Sequence, residues 1–412
     1  MVESLIKRGI RFLAKQERAF KVNMVRSSVE HFANALVQQY QSIYLITLGA
    51  NSTQVGLVNS FANIGSTIAA LPSGWAIDKH GLKKSFIFAT IFMSVGALML
   101  GLAQDWLHTI PALFILTLAT SVSRTSCPVV CGSSLINEDR AVGMQLCDSL
   151  AAASGIIAPI IGAVVISSSG GISSEGIRPL FYLQFGVLVL ELVLILWKFT
   201  NPTRRVASKK SLGMAEGVRE VLRRGTAVKR YILYSSIMRI PFYLNSIYIP
   251  LYSAKVKGAD AYTLGGMATA ALLVPLILSI PSGKLADRFG RKKVVYLCTP
   301  LFALSPLLLA ISPEGNSATL MAAGIFQGFF MLGLVTGNAI RAEIVPIGLL
   351  GSWGGMLGLF GGAVGIIAPA AAGYIWGTVS PSGVLLLITG ATILGTIVLT
   401  SVPETLNMTR EL

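Results

Sequence analysis

Few residues of this chain offer acid–base or ionic chemistry inside its long apolar runs, and their spacing is regular. Arg26, Glu30, Asn34, Gln38 and Gln41 recur at intervals of four, four, four and three, which makes one stripe of a helix. Val29, Phe32, Leu36, Ile43 and Leu45 lie largely off it. Glu30 is a group that can carry a proton, and the amides offer hydrogen bonds. Further on, Arg239, Tyr243, Asn245 and Tyr248 set a fixed positive charge among hydrogen-bonding groups, beside Pro241, which can loosen a helix. That charge suits an anionic group or a carboxylate partner. Arg124 and Asp148 lie twelve residues either side of Ile136. In a helical hairpin they share one depth, which predicts an ion pair or a proton relay. Glu191 interrupts another apolar run, and the sequence names no partner for it.

The runs that hold these residues set the class. Of 412 residues 53% are hydrophobic and 12% charged, about half the charge of a soluble domain. Runs of about 20 apolar residues match a hydrocarbon core roughly 30 Å thick. The expected fold class is an all-α membrane protein of twelve transmembrane helices, at about 22–48, 52–75, 83–104, 108–134, 141–168, 178–200, 231–253, 261–284, 291–313, 317–342, 349–377 and 380–402. An even number puts both termini on one side, and 27 of the 33 Lys and Arg fall there. That bias predicts cytoplasmic termini in a multi-pass, prokaryotic plasma-membrane protein. Residues 1–21 read as a basic amphipathic segment, 22–200 as one six-helix bundle, 201–230 as a cytoplasmic linker with a short helix after Ser211, 231–402 as the second bundle and 403–412 as a tail. Arg26 is near enough to the end of its span to snorkel out.

The net charge of +15 punctuates apolar segments and forms no aromatic-interleaved patch, so no nucleic-acid partner is expected; anionic lipid is. Cys127, Cys131, Cys147 and Cys298 all lie in apolar runs. They read as packing residues, because no His or carboxylate sits at ligand spacing from the Cys-x3-Cys of Cys127 and Cys131. No metal and no cofactor are expected.

Two dodecamers repeat 209 residues apart: SGWAIDKHGLKK from Ser73 and SGKLADRFGRKK from Ser282. GIIAP recurs at Gly155–Pro159 and Gly365–Pro369, and SIY at Ser42–Tyr44 and Ser246–Tyr248. Three matches in one order predict two homologous halves, parallel repeats about an axis along the membrane normal. An Asp at a helix end can accept hydrogen bonds from the free N–H groups of a neighbouring helix start.

The dodecamer resembles the loop motif of the major facilitator superfamily. Gly283, Asp287, Arg288, Gly290, Arg291 and Lys292 match throughout. Gly74, Asp78, Lys79, Gly81 and Lys83 match in the first copy, with Leu82 where a basic residue is usual. The resemblance implies a secondary transporter working by alternating access, with the two loops as a cytoplasmic gate. It implies that the span-1 stripe lines the central path; the alternative is hydrogen bonding between helices. GIIAPIIG resembles the motif of drug/proton antiporters, but its repeat in span 11 leaves Gly155, Pro159, Gly365 and Pro369 readable as paired kinks. VPET at Val402–Thr405 resembles a sugar-carrier signature. The expected activity is proton-coupled export of a small organic solute by a monomer, with Glu30 and Arg239 facing each other across the axis. The rivals are an uptake symporter or uniporter for a sugar or organic anion, and a transport-inactive sensor or scaffold. No catalytic constellation is present, so an enzyme is not expected.

Overall fold

The computed structural model describes residues 15–70, 72–135, 137–201, 220, 223, 225–345 and 350–404. These form fourteen helices. They are α1 (Arg18–Gln38), α2 (Gln41–Thr47), α3 (Ser52–Ala70), α4 (Pro72–His80), α5 (Leu82–Leu102), α6 (Trp106–Ser134), α7 (Asn137–Ser168), α8 (Ser174–Lys198), α9 (Thr226–Lys255), α10 (Ala261–Phe289), α11 (Arg291–Ile311), α12 (Ser317–Glu343), α13 (Leu350–Thr378) and α14 (Pro381–Thr400). The first span is α1 with α2, and the second is α3 with α4. That gives twelve spans in two six-helix bundles. Residues 1–14 of the expected basic arm, most of the Ser211 helix and the tail beyond Glu404 lie outside the described residues; the end of the arm, from Arg18, is the start of α1.

Six helix starts at one end carry their own caps. Asn51, Asp105, Ser173, Asp260, Asn316 and Ser380 accept a hydrogen bond from the N–H two or three residues on, at 2.8–3.3 Å. Such caps satisfy donors that a helix start leaves free. Nine of the described helices are long and apolar enough to cross a membrane. The spans outside that set are 1, 2 and 7. Spans 1 and 7 carry the polar residues singled out above, and a helix shielded from lipid by its neighbours tolerates them.

The halves meet along α3 on α13 and α7 on α10. Thr53 donates to the Gly373 carbonyl, Asn63 to Gly365, Thr269 to Ile156 and Tyr40 to Ala261, at 2.8–3.1 Å. The GIIAP motifs sit on these seams. Proline removes a helical N–H. Asn63 takes the Gly365 carbonyl, four residues before Pro369, across the seam. Each motif also receives a tyrosine from its own half: Tyr40 reaches the Pro159 carbonyl at 3.4 Å and Tyr248 that of Pro369 at 2.9 Å.

Candidate functional site

The strongest cluster of charge is enclosed within the first half. Arg26 on α1 is 1% exposed, and Glu191 at the middle of α8 is fully buried. One guanidinium nitrogen, Nη1, binds Glu30 one turn on, Glu191 at 3.1 Å and Ser123 of α6 at 3.0 Å. Ser123 donates to the same Glu30 oxygen at 2.5 Å, and Thr90 of α5 donates to Glu191 at 3.4 Å. The Arg26 Nε donates to Asn23 at 3.2 Å, and its guanidinium lies 4.1 Å from the centre of the Phe86 ring. The second Glu191 oxygen is buried with no hydrogen-bond partner among the described residues. Arg26 therefore does not snorkel: two carboxylates, a hydroxyl and an aromatic face hold it inside. Glu191, unexplained by sequence, is its counter-ion. With all three groups ionised the cluster carries one excess negative charge, and a single proton makes it neutral.

This arrangement divides the stripe. Arg26 and Glu30 point at α6 and α8, and Asn34 follows, receiving a hydrogen bond from Gln184 of α8 at 3.4 Å. Gln41 is half-buried and Gln38 exposed. Hydrogen bonding between helices, the alternative reading, describes the first three. The residue that sequence reasoning passed over is His31. It is exposed, packs against Gly155, and lies within electrostatic reach of both Glu30 and Arg124. The only signal was an imidazole beside a carboxylate within a membrane span.

A line of arginines and tyrosines runs through the second half and reaches Arg124 of the first. Arg124 on α6 is exposed and acts electrostatically on Tyr243 of α9, as does Arg239. Arg239 and Arg341 of α12 both act on Tyr231. The Arg239 guanidinium lies 5.3 Å from the Phe242 ring centre and packs on Gly361, while Tyr243 packs on Gly365. The buried Asn245 Oδ1 has no hydrogen-bond partner among the described residues. None of Arg124, Arg239 or Arg341 has a carboxylate within 4 Å among the described residues. Glu30 and Arg239 are not brought together, because Arg26 and Ser123 already occupy the carboxylate. The expected Arg124–Asp148 pair does not form either. After its loop end α7 packs along α1 rather than α6, so equal depth on the two helices does not become contact. Asp148 is exposed. Arg341, counted from sequence as a loop charge, belongs to this interior line.

The dodecamers organise the opposite end from the six caps. Gly81 and Gly290 turn the chain at φ of 83° and 112°, the region that favours glycine. The helix starts that follow take their caps from far away. Lys83 N–H donates to the Asn201 side chain at 2.9 Å. Arg291 and Lys292 N–H donate to the two Glu404 oxygens at 3.1 and 3.2 Å. Lys83 and Lys292 each reach a carbonyl near the end of their half, Leu196 at 3.0 Å and Thr400 at 3.2 Å. The anion at the second helix start is thus Glu404, whereas Asp287 accepts from the Arg291 side chain at 3.0 Å. The reason is position: Asp287 is in the last turn of α10, one turn before Arg291, and the chain leaving the last span returns beneath α11. Arg288 stacks near Phe289. Leu82 replaces the motif's basic residue because it is buried in an apolar cluster with Ile77, Phe86 and Ile195. Lys79 is exposed. The Asp78 side chain lies outside the described set, as does any further detail at Gly74, and Gly283 meets no neighbour that a side chain would touch.

The profile of the Major Facilitator Superfamily matches residues 31–274 and again 258–410. Multidrug resistance protein MdtG of Escherichia coli (strain K12 / DH10B) is 24% identical over 319 residues, covering 75% of this chain and 74% of that protein. MdtG of Serratia proteamaculans (strain 568) is 24% identical over 324 residues, with the same coverage. Among solved structures, the nucleoside transporter NupG superposes with a TM-score of 0.74 at 13% identity, over 94% of this chain and 99% of that one. A D-xylose-proton symporter gives 0.74 at 14% identity, over 94% and 98%.

Proposed function

The chain belongs to the Major Facilitator Superfamily and is a multi-pass membrane transporter, not an enzyme; on that premise we propose that it exports a small organic solute in exchange for protons. The carrying observation is the enclosed cluster of Arg26, Glu30 and Glu191, two carboxylates on one guanidinium with one buried oxygen unsatisfied. A proton there neutralises the cluster and releases one carboxylate from Arg26. Glu30 is the mobile partner, since its side chain is 12% exposed and Glu191 is sealed. His31 beside it gives the proton a route toward the space between the halves. The rocking units are residues 22–200 and 231–402, about a site near the middle of the membrane. The charge bias puts both termini in the cytoplasm, and the transporter acts as a monomer.

The solute meets Arg124, Arg239 and Arg341, three fixed cations with no carboxylate partner among the described residues, and so carries an anionic group. Tyr243 and Asn245 offer hydrogen bonds beside them. The name of the MdtG relatives, multidrug resistance protein, supports export rather than uptake.

The test is flux in proteoliposomes under an imposed pH gradient, across a panel of organic anions and of cationic drugs. Glu30→Gln should abolish pH-driven accumulation and leave solute exchange at equal pH intact. Unchanged pH-driven flux in both Glu30→Gln and Glu191→Gln would remove the coupling role of the cluster. Transport of cations alone would remove the anionic assignment.

A further inference from the structure

The described cysteines of the first half converge. Cys127 and Cys131 stand one turn apart on α6, and Cys147 lies ten residues into α7. Their three Sγ atoms all lie within 4.8 Å of one another, and Cys127 and Cys147 are 4.0 Å apart. A metal–thiolate bond is about 2.3 Å, so three sulfurs around a planar trigonal ion stand about 4.0 Å apart. Little movement is needed to close this triangle.

The surroundings match a soft ion. Met24 and Met144 belong to the same apolar cluster as the three cysteines. Asn23 of α1 aims its amide at the sulfurs, 3.3 Å from Cys127 and 3.9 Å from Cys147, a donor suited to anionic sulfur. The positive charge of Arg26 acts on Cys127. Among the described residues within that triangle there is no imidazole or carboxylate. Structural zinc takes four ligands and the harder cations take oxygen, so a set of three sulfurs serves both poorly. Soft thiolate and thioether sets favour Cu(I) and its heavier congener.

We propose that Cys127, Cys131 and Cys147 form a binding site for a soft monovalent metal ion, Cu(I) or Ag(I). Binding replaces thiol protons by metal–sulfur bonds and releases the protons to solvent; the ion arrives already monovalent, so no electron is transferred. Cys131 is three residues from the end of α6, so the ion enters from the loop between α6 and α7 without crossing the bilayer. Bound there, it ties α1, through Asn23, to the α6–α7 hairpin, at the same end as the dodecamers. The site is separate from the solute path, and its existence does not depend on what the protein carries.

The experiment is Cu(I) titration of the reduced, detergent-purified chain against a chromogenic Cu(I) chelator. The expected result is one Cu(I) per chain, bound through three sulfurs by X-ray absorption. Affinity should fall more than about 100-fold in Cys127→Ala, Cys131→Ala or Cys147→Ala, beyond the 10–100-fold typical of an outer-shell change, which Asn23→Ala should show. Cys298→Ala, in the other half, should bind as the parent does. Equal binding by Cys147→Ala and the parent, or equal loss in Cys298→Ala, would overturn the site. A second measurement needs no variant: Cu(I) should protect Cys127, the half-exposed member, from maleimide labelling of the folded parent chain. Unprotected labelling at saturating Cu(I) would also overturn it.

Discussion

Gly265 of α10 lies against the carbonyl of Pro159 in α7, where a Cβ would stand 2.7 Å from the oxygen. The repeat-related pair, Gly56 of α3 on Pro369 of α13, is closer still. The GIIAP prolines are thus where each half presses its backbone on the other, at the end remote from the dodecamers. A glycine on one side of a seam and a proline carbonyl on the other allow helices to approach as no larger pair does.

Gly56→Ala and Gly265→Ala should therefore wedge this end open. Overpacking of this kind costs roughly 1–3 kcal/mol, which shifts a two-state equilibrium about 5- to 150-fold. Spin labels placed on the outer ends of α3 and α13 should report longer distances in Gly56→Ala, with flux reduced. Unchanged distances in both variants would mean that the seams do not separate during transport.

Glu404 should matter more for stability than for transport. It caps the start of α11 through two N–H groups, and loss of a helix cap costs about 1 kcal/mol. Glu404→Ala should lower the melting temperature of the purified protein, and Asn201→Ala, the matching cap of α5, should lower it less because a neutral acceptor is lost. Asp287→Asn breaks only a pair to Arg291 in which the carboxylate is 69% exposed, so its thermal effect should be near zero. A melting shift in Asp287→Asn as large as in Glu404→Ala would reverse the assignment of the capping anion.

These two caps also show what periodicity and composition can disclose. Nine spans were legible as continuous apolar runs, spans 1, 2 and 7 from their place between short breaks and in the repeat, and the six caps of the opposite end lie two or three residues from the donors they serve. The repeat exposed the seams, since GIIAP and the dodecamers are local strings. What escaped was whatever helix packing assembles from distant sequence. Asn201 is 118 residues from Lys83, and Glu191 is 165 from Arg26. Glu191 belongs to a helix whose other buried polar residue in that stretch is Gln184, two turns earlier, and two positions are too few to mark a stripe. The same limit hid Cys147 from Cys127 and Cys131, and Arg341 from Arg239. The expected pairings failed for the same reason: equal depth on adjacent or repeat-related helices sets height, whereas rotation about the helix axis decides contact.

Arg26 should be the least replaceable residue of the first half. Removing it leaves Glu30 and Glu191 enclosed without a cation, and breaking a buried pair typically costs roughly 3–5 kcal/mol. Arg26→Leu should express poorly and melt well below the parent chain. Adding Glu191→Leu to it should recover part of the loss, since the second charge is then gone as well. Simple additivity of the two changes would mean that they do not interact, and the cluster would lose its place as the proton site.

The three arginines that have no carboxylate partner among the described residues make the last prediction. Arg124 and Arg239 share Tyr243 as a neighbour, and Arg239 and Arg341 share Tyr231. A fixed cation without a counter-ion in a low-dielectric path is costly unless water or a ligand serves it. The cost is recovered when an anionic solute arrives, so these side chains should contribute to affinity rather than to folding. Arg239→Ala should weaken solute binding about 5- to 150-fold, the range of a coupling of 1–3 kcal/mol, with little change in melting temperature. Arg239→Lys should recover only part of the affinity, because the planar fork that grips a carboxylate or phosphate is lost while the charge is kept. Raising salt should weaken the parent more than Arg239→Ala, since the variant has one fewer charge for the solute to meet. Equal affinity of parent and Arg239→Ala for every anion transported would place the solute elsewhere, and would leave these arginines as repulsive charges that exclude cations from the path.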